Sequence, residues 1–595
     1  MINQKSIAVL PFVNMSNDID NEYFCDGITE EIINALTKVK GLKVIARTSS
    51  FVFKNNNLDV RHIGNQLGVA TVLEGSIRIF NKRIRINIQL IRTDDGFQVW
   101  SQNFDRNLDD IFELQDEISL IIAEKIRENF GHLNISEHIS IIGTKDINAY
   151  KLYLKGRAYQ LNWDLKDYLK AIDCYKKSIE IDSDFYDSYF AISRSYGILS
   201  SWGAIDKNKG LKDAKNYLDQ GLKINQDSYL GYFSTSSLSF WNNWNYTKGI
   251  TYLKKTLHQN PSYAIAYEGI AEIYIATNQL HKALSNINRA IEISPLSPNH
   301  YFTKGNIYFL KKEYTTAIHY LEECLKIDTN FTLAIETKLA CYMFLNDADK
   351  FHNYIATMPQ LISPKVCEAL FNAINNKQVE IDLTTIKIDV DESFKNVYPW
   401  HFYFLVHLGK INKAMQVFEE KINLKIGQLV NFKLDPFLNP LREHKQYQII
   451  EQQTISSDLL SEKEEEVKIL KKETSNSLNK IEIAENKLLL ENFIASNEPY
   501  LNSNLSLKKL AESIHLHPNK LSWLLNAEYD KNFNDFINQY RLQHFKTLAA
   551  NPKFKNITIL GLAYDSGFNS KSVFNTYFKN AEGVTPSQWM KAHSK

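Results

Sequence analysis

Two stretches of this chain share one pattern. Residues 505–525 read L-S-L-K-K-L-A-E-S-I-H-L-H-P-N-K-L-S-W-L-L, and residues 557–589 read I-T-I-L-G-L-A-Y-D-S-G-F-N-S-K-S-V-F-N-T-Y-F-K-N-A-E-G-V-T-P-S-Q-W. In each, Leu or Ile and Ala mark the buried face of a first helix, a tight turn follows, and a second helix alternates core with small polar residues. A helix over about residues 533–550 connects them. The pattern predicts two helix-turn-helix units, each with a polar face where a base edge could lie.

The second unit carries the turn and capping chemistry that this arrangement needs. Gly567 stands where the turn requires a positive φ, which glycine adopts without strain, and Phe568 follows as a core residue. Either Asn569 or Ser570 can cap the second helix. Pro586, after Thr585, fixes φ in the first turn of a last helix.

This C-terminal part, residues 491–595, resembles the DNA-binding domain of the AraC/XylS family of transcription regulators. The first unit departs from the family pattern at His515, where Gly or Asn is common, and at Asp530, where Gly is usual. At position 530 Asp can adopt the left-handed backbone conformation better than most residues. At position 515 the histidine leaves the geometry of the turn, and so the angle of the first recognition helix, open. The resemblance rests on Ala563, Gly567, Phe568, Ser570, Val573, Phe574, Phe578, Lys579, Gly583, Thr585 and Pro586.

The resemblance implies which side chains meet double-stranded DNA. Asn can bond adenine at two positions and Lys can reach guanine acceptors, whereas contacts to phosphate position the protein without specifying a sequence. Arg541, on the connecting helix, is expected to be an internal brace. The implied base-reading residues are Asn519, Ser522 and Trp523 in the first unit and Lys571, Ser572, Asn575 and Thr576 in the second, with Lys508, Lys520 and Lys579 on phosphates.

Length and charge fit such an arrangement. A chain of 595 residues is expected to form three or more domains. The net charge is +1, but from residue 500 onward 12 Lys and Arg face 6 Asp and Glu, a local charge of +6. This asymmetry is typical of a nucleic-acid-binding domain, and the alternative interpretation is a solvated charged surface.

Cysteine usage and hydropathy indicate the compartment. The five cysteines form no C-x-x-C pair, so neither a disulfide framework nor a zinc site is expected, and the thiols should be reduced. No apolar run approaches the roughly 18 residues that a membrane-spanning helix needs. We therefore expect a soluble cytoplasmic protein with no membrane partner.

The N-terminal part, residues 1–135, alternates strand and helix signals. Two strands around Asn81 and Lys82 predict a hairpin, and residues 109–130 predict a helix. The phrases G-L-K-V-I-A-R-T-S-S-F, I-G-N-Q-L-G-V and V-L-E-G-S-I-R look like the TolB amino-terminal-like (FlgO-like) domain, which implies a small α/β domain with a mixed sheet. Arg47, Thr48 and Ser49 are either an anion or ligand site or simple turn chemistry after a strand.

The middle part, residues 148–445, contains a repeated phrase. Its small residue falls at Ala171, Ala214, Gly249, Ala283 and Ala317, at intervals of 43, 35, 34 and 34 residues. A period of about 34 predicts tetratricopeptide repeats. Such repeats stack into a superhelix with a concave groove, where a protein or peptide partner is expected. The long first interval predicts a longer loop or helix near residues 202–204.

The connector, residues 446–490, carries a weak heptad pattern. Its apolar positions allow two interpretations, a short parallel coiled coil that makes a homodimer, or a solvated helix or flexible linker. The seam positions are Val467, Leu470, Thr474, Ile481, Ala484 and Leu488.

No catalytic, cofactor or metal-binding constellation is apparent in the sequence. The phosphate-binding, dinucleotide-binding, zinc-protease and nucleophile-elbow motifs are missing. We expect a mostly α, multidomain protein: an α/β domain, an α-solenoid and an all-α tandem helix-turn-helix. Its expected function is sequence-specific transcription regulation without enzymatic activity, controlled by a partner or ligand. The alternative is a repeat scaffold whose degenerate helix-turn-helix only docks a partner.

Overall fold

The computed structural model describes residues 3–16, 21–56, 58–136, 143–160, 165–358, 364–379, 398–454 and 480–593. Helices dominate, and within these described ranges the strands lie in the N-terminal part. The protein is therefore mostly α and multidomain, as the sequence predicts. Within the described residues, no helix combines the length and the apolar character needed to cross a membrane.

The N-terminal domain is built on one mixed sheet. The strands are β1 (Ser6–Val9), β2 (Val13–Asn14), β3 (Lys43–Val44), β4 (Thr71–Phe80), β5 (Arg83–Arg92) and β6 (Gln98–Asn107). Their order is β3-β1-β4-β5-β6, with β2 also beside β4. β1 and β2 run parallel to their neighbours, and β4, β5 and β6 are antiparallel to one another. The predicted hairpin is β4–β5, and β6 is a strand that the sequence reading did not anticipate.

Residue alternation explains the buried face of this sheet. In β5, Ile84, Ile86 and Ile88 are buried while the Arg and Asn between them are exposed, so one face is wet. Two long helices, α1 (Glu22–Thr37) and α4 (Ile111–Phe130), cover the buried face, and their Ile and Leu join its core. The short helices are α2 (Arg47–Ser50) and α3 (Val60–Leu67), of which α3 belongs to a separate apolar cluster, and 3-10 turns lie at Phe51–Phe53 and Leu108–Asp110.

The middle of the chain is a stack of paired helices. The pairs are α5 (Ile147–Gln160) with α6 (Leu165–Ile181), α7 (Tyr186–Ser201) with α8 (Lys207–Ile224), α9 (Tyr229–Ser237) with α10 (Tyr246–Gln259), α11 (Ala264–Ala276) with α12 (Leu280–Ile293), and α13 (Pro298–Leu310) with α14 (Tyr314–Ile327). A π-helical turn, Leu238–Asn242, follows α9. The repeat prediction is confirmed.

The small residue of each phrase lies where two helices approach. Ala171, Ala214, Ala283 and Ala317 are fully buried on α6, α8, α12 and α14. A methyl group on Gly249 would lie 3.0 Å from Ile273 Cδ1. The long first interval comes from longer helices: α7 and α8 have 16 and 18 residues, against 13 and 14 in α11 and α12.

The regular repeat then gives way to helices of 8 to 14 residues that pack around an aromatic core. Phe437 stacks on Tyr403, with ring centroids 4.4 Å apart. The helices are α15 (Thr332–Leu345), α16 (Ala348–Ile355), α17 (Pro364–Ile374), α18 (Trp400–His407), α19 (Ile411–Asn423) and α20 (Lys445–Thr454), with 3-10 turns at Gly427–Leu429 and Pro436–Leu441.

The C-terminal part is all α. Of the predicted heptad seam, Ile481, Ala484 and Leu488 lie on α21, whereas Val467, Leu470 and Thr474 fall outside the described residues. The helices are α21 (Lys480–Asn497), α22 (Leu507–Ser513), α23 (Pro518–Tyr529), α24 (Phe533–Ala550), α25 (Ile559–Asp565), α26 (Lys571–Glu582) and α27 (Pro586–His593), with 3-10 turns at Pro499–Leu501 and Pro552–Phe554.

The helical repeats hold the N-terminal domain at two places. Arg157 on α5 pairs with Glu30 on α1, with Nη2 2.6 Å from Oε1. Farther along the stack, Ser49 Oγ bonds Ser294 Oγ at 3.0 Å and accepts the Leu296 amide at 2.8 Å. The first repeat helix and the segment after α12 thus both contact the chain's own N-terminal domain. Arg47 and Ser49 therefore make contacts within the chain. A ligand site was one of the two interpretations of these residues.

A cluster of carboxyl groups lies in this contact. Burial would raise the pKa of Glu30, but Arg157, Arg47 and Arg194 together lower it. Burial raises the pKa of its neighbour Glu31 to about 8, with the nearby carboxylates adding to the rise. Burial also raises the pKa of Asp187, on α7, to about 7. The contact therefore favours the ionised form of Glu30 and the protonated forms of Glu31 and Asp187.

The pH dependence of stability follows from these shifts. Because the folded pKa values of Glu31 and Asp187 lie above the ordinary ones, their contribution is complete at acidic pH and is lost as pH rises toward 8. Asp187→Asn should therefore gain about 1 kcal/mol relative to the parent between pH 5 and 8. Urea unfolding at each pH measures this difference, and Asp219→Asn, which removes an exposed carboxyl on α8, should show no such change.

A second prediction concerns Gly567, where φ is +90° and a methyl group would lie 2.1 Å from the carbonyl oxygen of Tyr500. Gly567→Ala should lower the local free energy of unfolding by more than about 2 kcal/mol, because backbone rather than a flexible side chain must move. Gly583→Ala is the matched control, since φ is +73° there with nothing within 4 Å. It should cost about 1 kcal/mol. Amide hydrogen exchange over residues 557–589 measures both, and equal costs would contradict the contact.

Candidate nucleic-acid interface

Local capping builds the second helix-turn-helix as predicted. Thr558 Oγ1 accepts the Gly561 amide at 3.0 Å and so begins α25. After the turn at Gly567, Ser570 Oγ accepts the Val573 amide at 3.2 Å and begins α26. Of the two predicted caps, Ser570 is therefore the one used.

The second recognition helix, α26, has two distinct faces. Phe574 and Phe578 are buried against Phe545 and Phe568 in a small aromatic core. The opposite face is exposed along its whole length. It carries the predicted residues Lys571, Ser572, Asn575, Thr576 and Lys579. This face has the donors, acceptors and positive charge that base edges and phosphates require.

The first unit forms despite its departures from the family pattern. His515 and Asp530 both take the left-handed conformation, with φ of 54° and 50°. His517 Nδ1 accepts the Asn519 amide at 3.2 Å and caps α23, while Ser506 Oγ accepts the Lys509 amide at 3.2 Å and caps α22. The turn therefore keeps its geometry with histidine in the glycine position.

Arg541 is an internal brace, as predicted. Its guanidinium is buried, and Nε donates to the Tyr500 carbonyl at 2.8 Å and Nη2 to the Asn502 carbonyl at 2.9 Å. Burial lowers the pKa of Arg541 to about 10, so it stays charged at neutral pH. The brace fixes the start of the first unit against the connecting helix α24.

The first recognition helix, α23, differs from α26 because it lies against the N-terminal domain. Asn519 is only 7 % exposed. Its Oδ1 accepts from Arg127 Nη1 at 2.5 Å and from the Ile135 amide at 3.3 Å. Its Nδ2 donates to Asn134 Oδ1 at 2.9 Å and to the Ile135 carbonyl at 3.0 Å. Both ends of this carboxamide are thus bonded within the protein.

Further hydrogen bonds extend this contact along the first unit. The Leu507 amide at the start of α22 donates to Glu128 Oε1 at 3.0 Å. Asn526 Oδ1 on α23 accepts the His132 amide at 3.1 Å. A third bond, at 2.9 Å, joins Asn534 Nδ2 on α24 to Asn129 Oδ1 on α4.

The other residues predicted for the first unit divide between buried and accessible. Ser522 is 1 % exposed, and Trp523 packs against the core of its own unit. Lys520 Nζ lies 2.8 Å from Glu482 Oε1 on α21. Lys508 is exposed. The predicted site is therefore open in its second half and largely covered in its first.

The side chains that cover α23 were missed by the sequence reading. Residues 127–135 form the last turn of α4 and the segment after it, and they contain no recognisable motif. Resemblances that concern each domain separately carry no signal for a contact between domains. Only Gly131, at φ +100°, marks where the chain turns beside Asn526.

Comparison with protein families identifies the three parts. Residues 510–592 match a helix-turn-helix domain, residues 3–121 match the second domain of HilA/YgeH-like transcriptional regulators, and residues 152–185, 264–295 and 301–331 match tetratricopeptide repeats. The chain thus carries an AraC-type helix-turn-helix, a HilA-like regulator domain and tetratricopeptide repeats. The N-terminal part thus matches a domain of transcriptional regulators, as expected, and the matching family is described as HilA/YgeH-like where the sequence suggested a TolB amino-terminal-like domain. These domains support a transcription regulator with repeats.

Individual relatives match parts of the chain. A putative adenylate cyclase 3 from Rhizobium meliloti (strain 1021) is 41% identical over 188 residues, 32% of each chain, so this chain spans about a third of that relative's length. Superkiller protein 3 from Schizosaccharomyces pombe (strain 972 / ATCC 24843) is 25% identical over 236 residues, 39% of this chain and 16% of that protein. The crystal structure of PilW, a type IV pilus biogenesis factor, is similar over 36% of this chain and 93% of that one, with 15% identity and a TM-score of 0.30.

The two recognition helices offer a matched test of the covered and open halves. Asn519→Ala removes four hydrogen bonds at a buried position and should weaken the contact by about 2 kcal/mol or more, because the partners at Arg127 and Ile135 lose their bonds. Asn575→Ala, at the exposed position of α26, should change stability by less than about 0.5 kcal/mol. Hydrogen exchange over residues 127–136 and 507–526, without DNA, measures both. Equal protection in the two variants would contradict the described contact.

Proposed function

We propose that this protein is a sequence-specific DNA-binding transcription regulator that catalyses no reaction of its own. The second recognition helix reads one segment of the major groove through Lys571, Ser572, Asn575 and Thr576. The first reads a neighbouring segment through Asn519, Ser522 and Trp523. Lys508, Lys520 and Lys579 contact phosphates and set the register.

The observation that carries this proposal is the exposed polar face of α26. In the sequence S-K-S-V-F-N-T-Y-F-K the rings of Phe574 and Phe578 are buried and the small polar and Lys side chains are exposed, with Val573 43% exposed among them, on a helix capped by Ser570. A helix whose outer face is merely solvated does not need short polar side chains and lysines on that face. Major-groove recognition does, because short polar side chains let the helix approach the base edges.

The domain boundaries fit this division of labour. We propose an N-terminal regulator domain over 1–135, repeats over 148–445, a connector over 446–490 and a DNA-binding domain over 491–595. The repeats receive a protein or peptide partner beyond the part of the stack that holds the N-terminal domain. Ile481 and Leu488 are 71% and 59% exposed on α21, which supports a homodimer through the connector.

The rival function, a scaffold whose helix-turn-helix only docks a partner, is favoured by one observation. The first recognition helix is engaged with another domain of the same chain through Asn519 and Asn526. A docking module would look like this, yet it would not need the exposed, basic face of α26.

DNA binding by the full chain separates the two functions. Duplexes selected from a random pool should converge on a motif, and affinity should fall steeply with salt because phosphate contacts release counterions. Lys571→Ala and Asn575→Ala should each lose about 1–3 kcal/mol of discrimination between the winning site and a mismatched one.

The charge-matched control is Lys591→Ala, an exposed lysine on α27, which should keep the discrimination. A scaffold predicts no enriched motif from the parent and no effect of either α26 variant.

A further inference from the structure

We propose that residues 127–135, here named the masking segment, cover the first recognition helix, so that DNA and the chain's own N-terminal domain compete for the same side chains. This inference rests on the proposed function and concerns the regulation of that same site. In the covered state the chain presents a single reading helix, α26. In the uncovered state it presents both.

The side chain of Asn519 makes the two states mutually exclusive. A primary carboxamide has two N–H donors and one oxygen with two lone pairs. Within the protein Nδ2 already donates twice, to Asn134 and Ile135, and Oδ1 already accepts twice, from Arg127 and Ile135. The same group therefore has no capacity left for the paired bonds that recognise adenine.

The masking segment contacts both helices of the first unit and the start of the connecting helix. Glu128 bonds the first turn of α22, the His132 amide bonds Asn526 on α23, and Asn129 bonds Asn534 on α24. The contacts therefore lie on three successive helices. A duplex in front of α23 would have to occupy the volume that residues 127–135 fill.

The chemistry of the contact suits reversible masking. It is made of hydrogen bonds through amides, one arginine and one carboxylate, and each contributes about 1 kcal/mol between neutral groups and about 1.5–3 kcal/mol at a charged group once water is exchanged. Because each bond is individually weak, the contacts that the first unit would make with DNA can outweigh this set of bonds.

The first experiment weakens the mask without altering any DNA-contacting residue. Asn129→Ala with Asn134→Ala removes two side chains of the masking segment, and Asn103→Ala with Asn107→Ala, exposed on β6, is the matched control. Each full-length protein selects duplexes from a random pool. The parent and control should enrich one short motif. The unmasked variant should enrich two motifs about one helical turn apart and bind the longer site at least ten-fold more tightly.

The outcomes distinguish the two hypotheses. If the parent already enriches both motifs with the affinity of the unmasked variant, masking is refuted while DNA recognition stands. If no protein enriches any motif, the proposed function itself fails, and masking with it. Adding Asn519→Ala to the unmasked variant should remove the second motif alone.

A second experiment locks the mask. The five native cysteines are buried, so Asn129→Cys with Asn534→Cys provides the accessible thiols, at side chains whose amide atoms lie 2.9 Å apart. Bridging them with a short, reducible bis-maleimide should reduce affinity for the longer site at least ten-fold, and reduction should restore it. The single variant Asn129→Cys, treated alike, should be unaffected. A bridged protein that still reads both motifs would overturn the inference.

Discussion

The hydrophobic burial of one helix, α4 (Ile111–Phe130), underlies the arrangement of the whole chain. Its apolar side packs on the N-terminal sheet and on α1, so its direction is fixed by that core. Near its start, Gln115 contacts Tyr150 of the first repeat helix, with Nε2 3.4 Å from the hydroxyl oxygen. Its last turn supplies Arg127, Glu128 and Asn129 to the helix-turn-helix. One rigid element therefore touches all three parts of the protein.

This geometry connects the repeats to the candidate DNA interface through few steps. The repeats hold α1 through Arg157 and Glu30, α1 packs on α4, and the end of α4 contacts α23. Packed helices transmit displacement because protein interiors are dense and poorly compressible. A partner that altered the repeat stack would thus act on the first recognition helix by shifting the N-terminal domain. The carboxyl cluster around Glu31 lies in the same path.

Much of each domain could be predicted from the sequence because local chemistry specifies it. Gly567, Ser570 and Phe568 fixed the second turn, and the 34-residue spacing of small residues fixed the repeats. β6 was missed because its exposed polar residues weaken the alternating pattern. The covered state of Asn519 could not be predicted, because its partners at Arg127 and Asn134 are nearly four hundred positions away and belong to an amphipathic helix and its extension. Periodicity identifies a buried face but not its partner.

The segment at Tyr500 has a consequence for the geometry of any operator. Its carbonyl receives Arg541 from α24 and lies against Gly567 in the turn of the second unit, while the Tyr500 ring stacks on Tyr540. The two helix-turn-helix units are thus clamped at one angle and one separation instead of being joined by a pliable tether. A pair of half-sites read by both units would tolerate base changes between them, but not insertions. Half a helical turn of extra DNA would place the second half-site on the opposite side of the duplex, out of reach of a rigid pair.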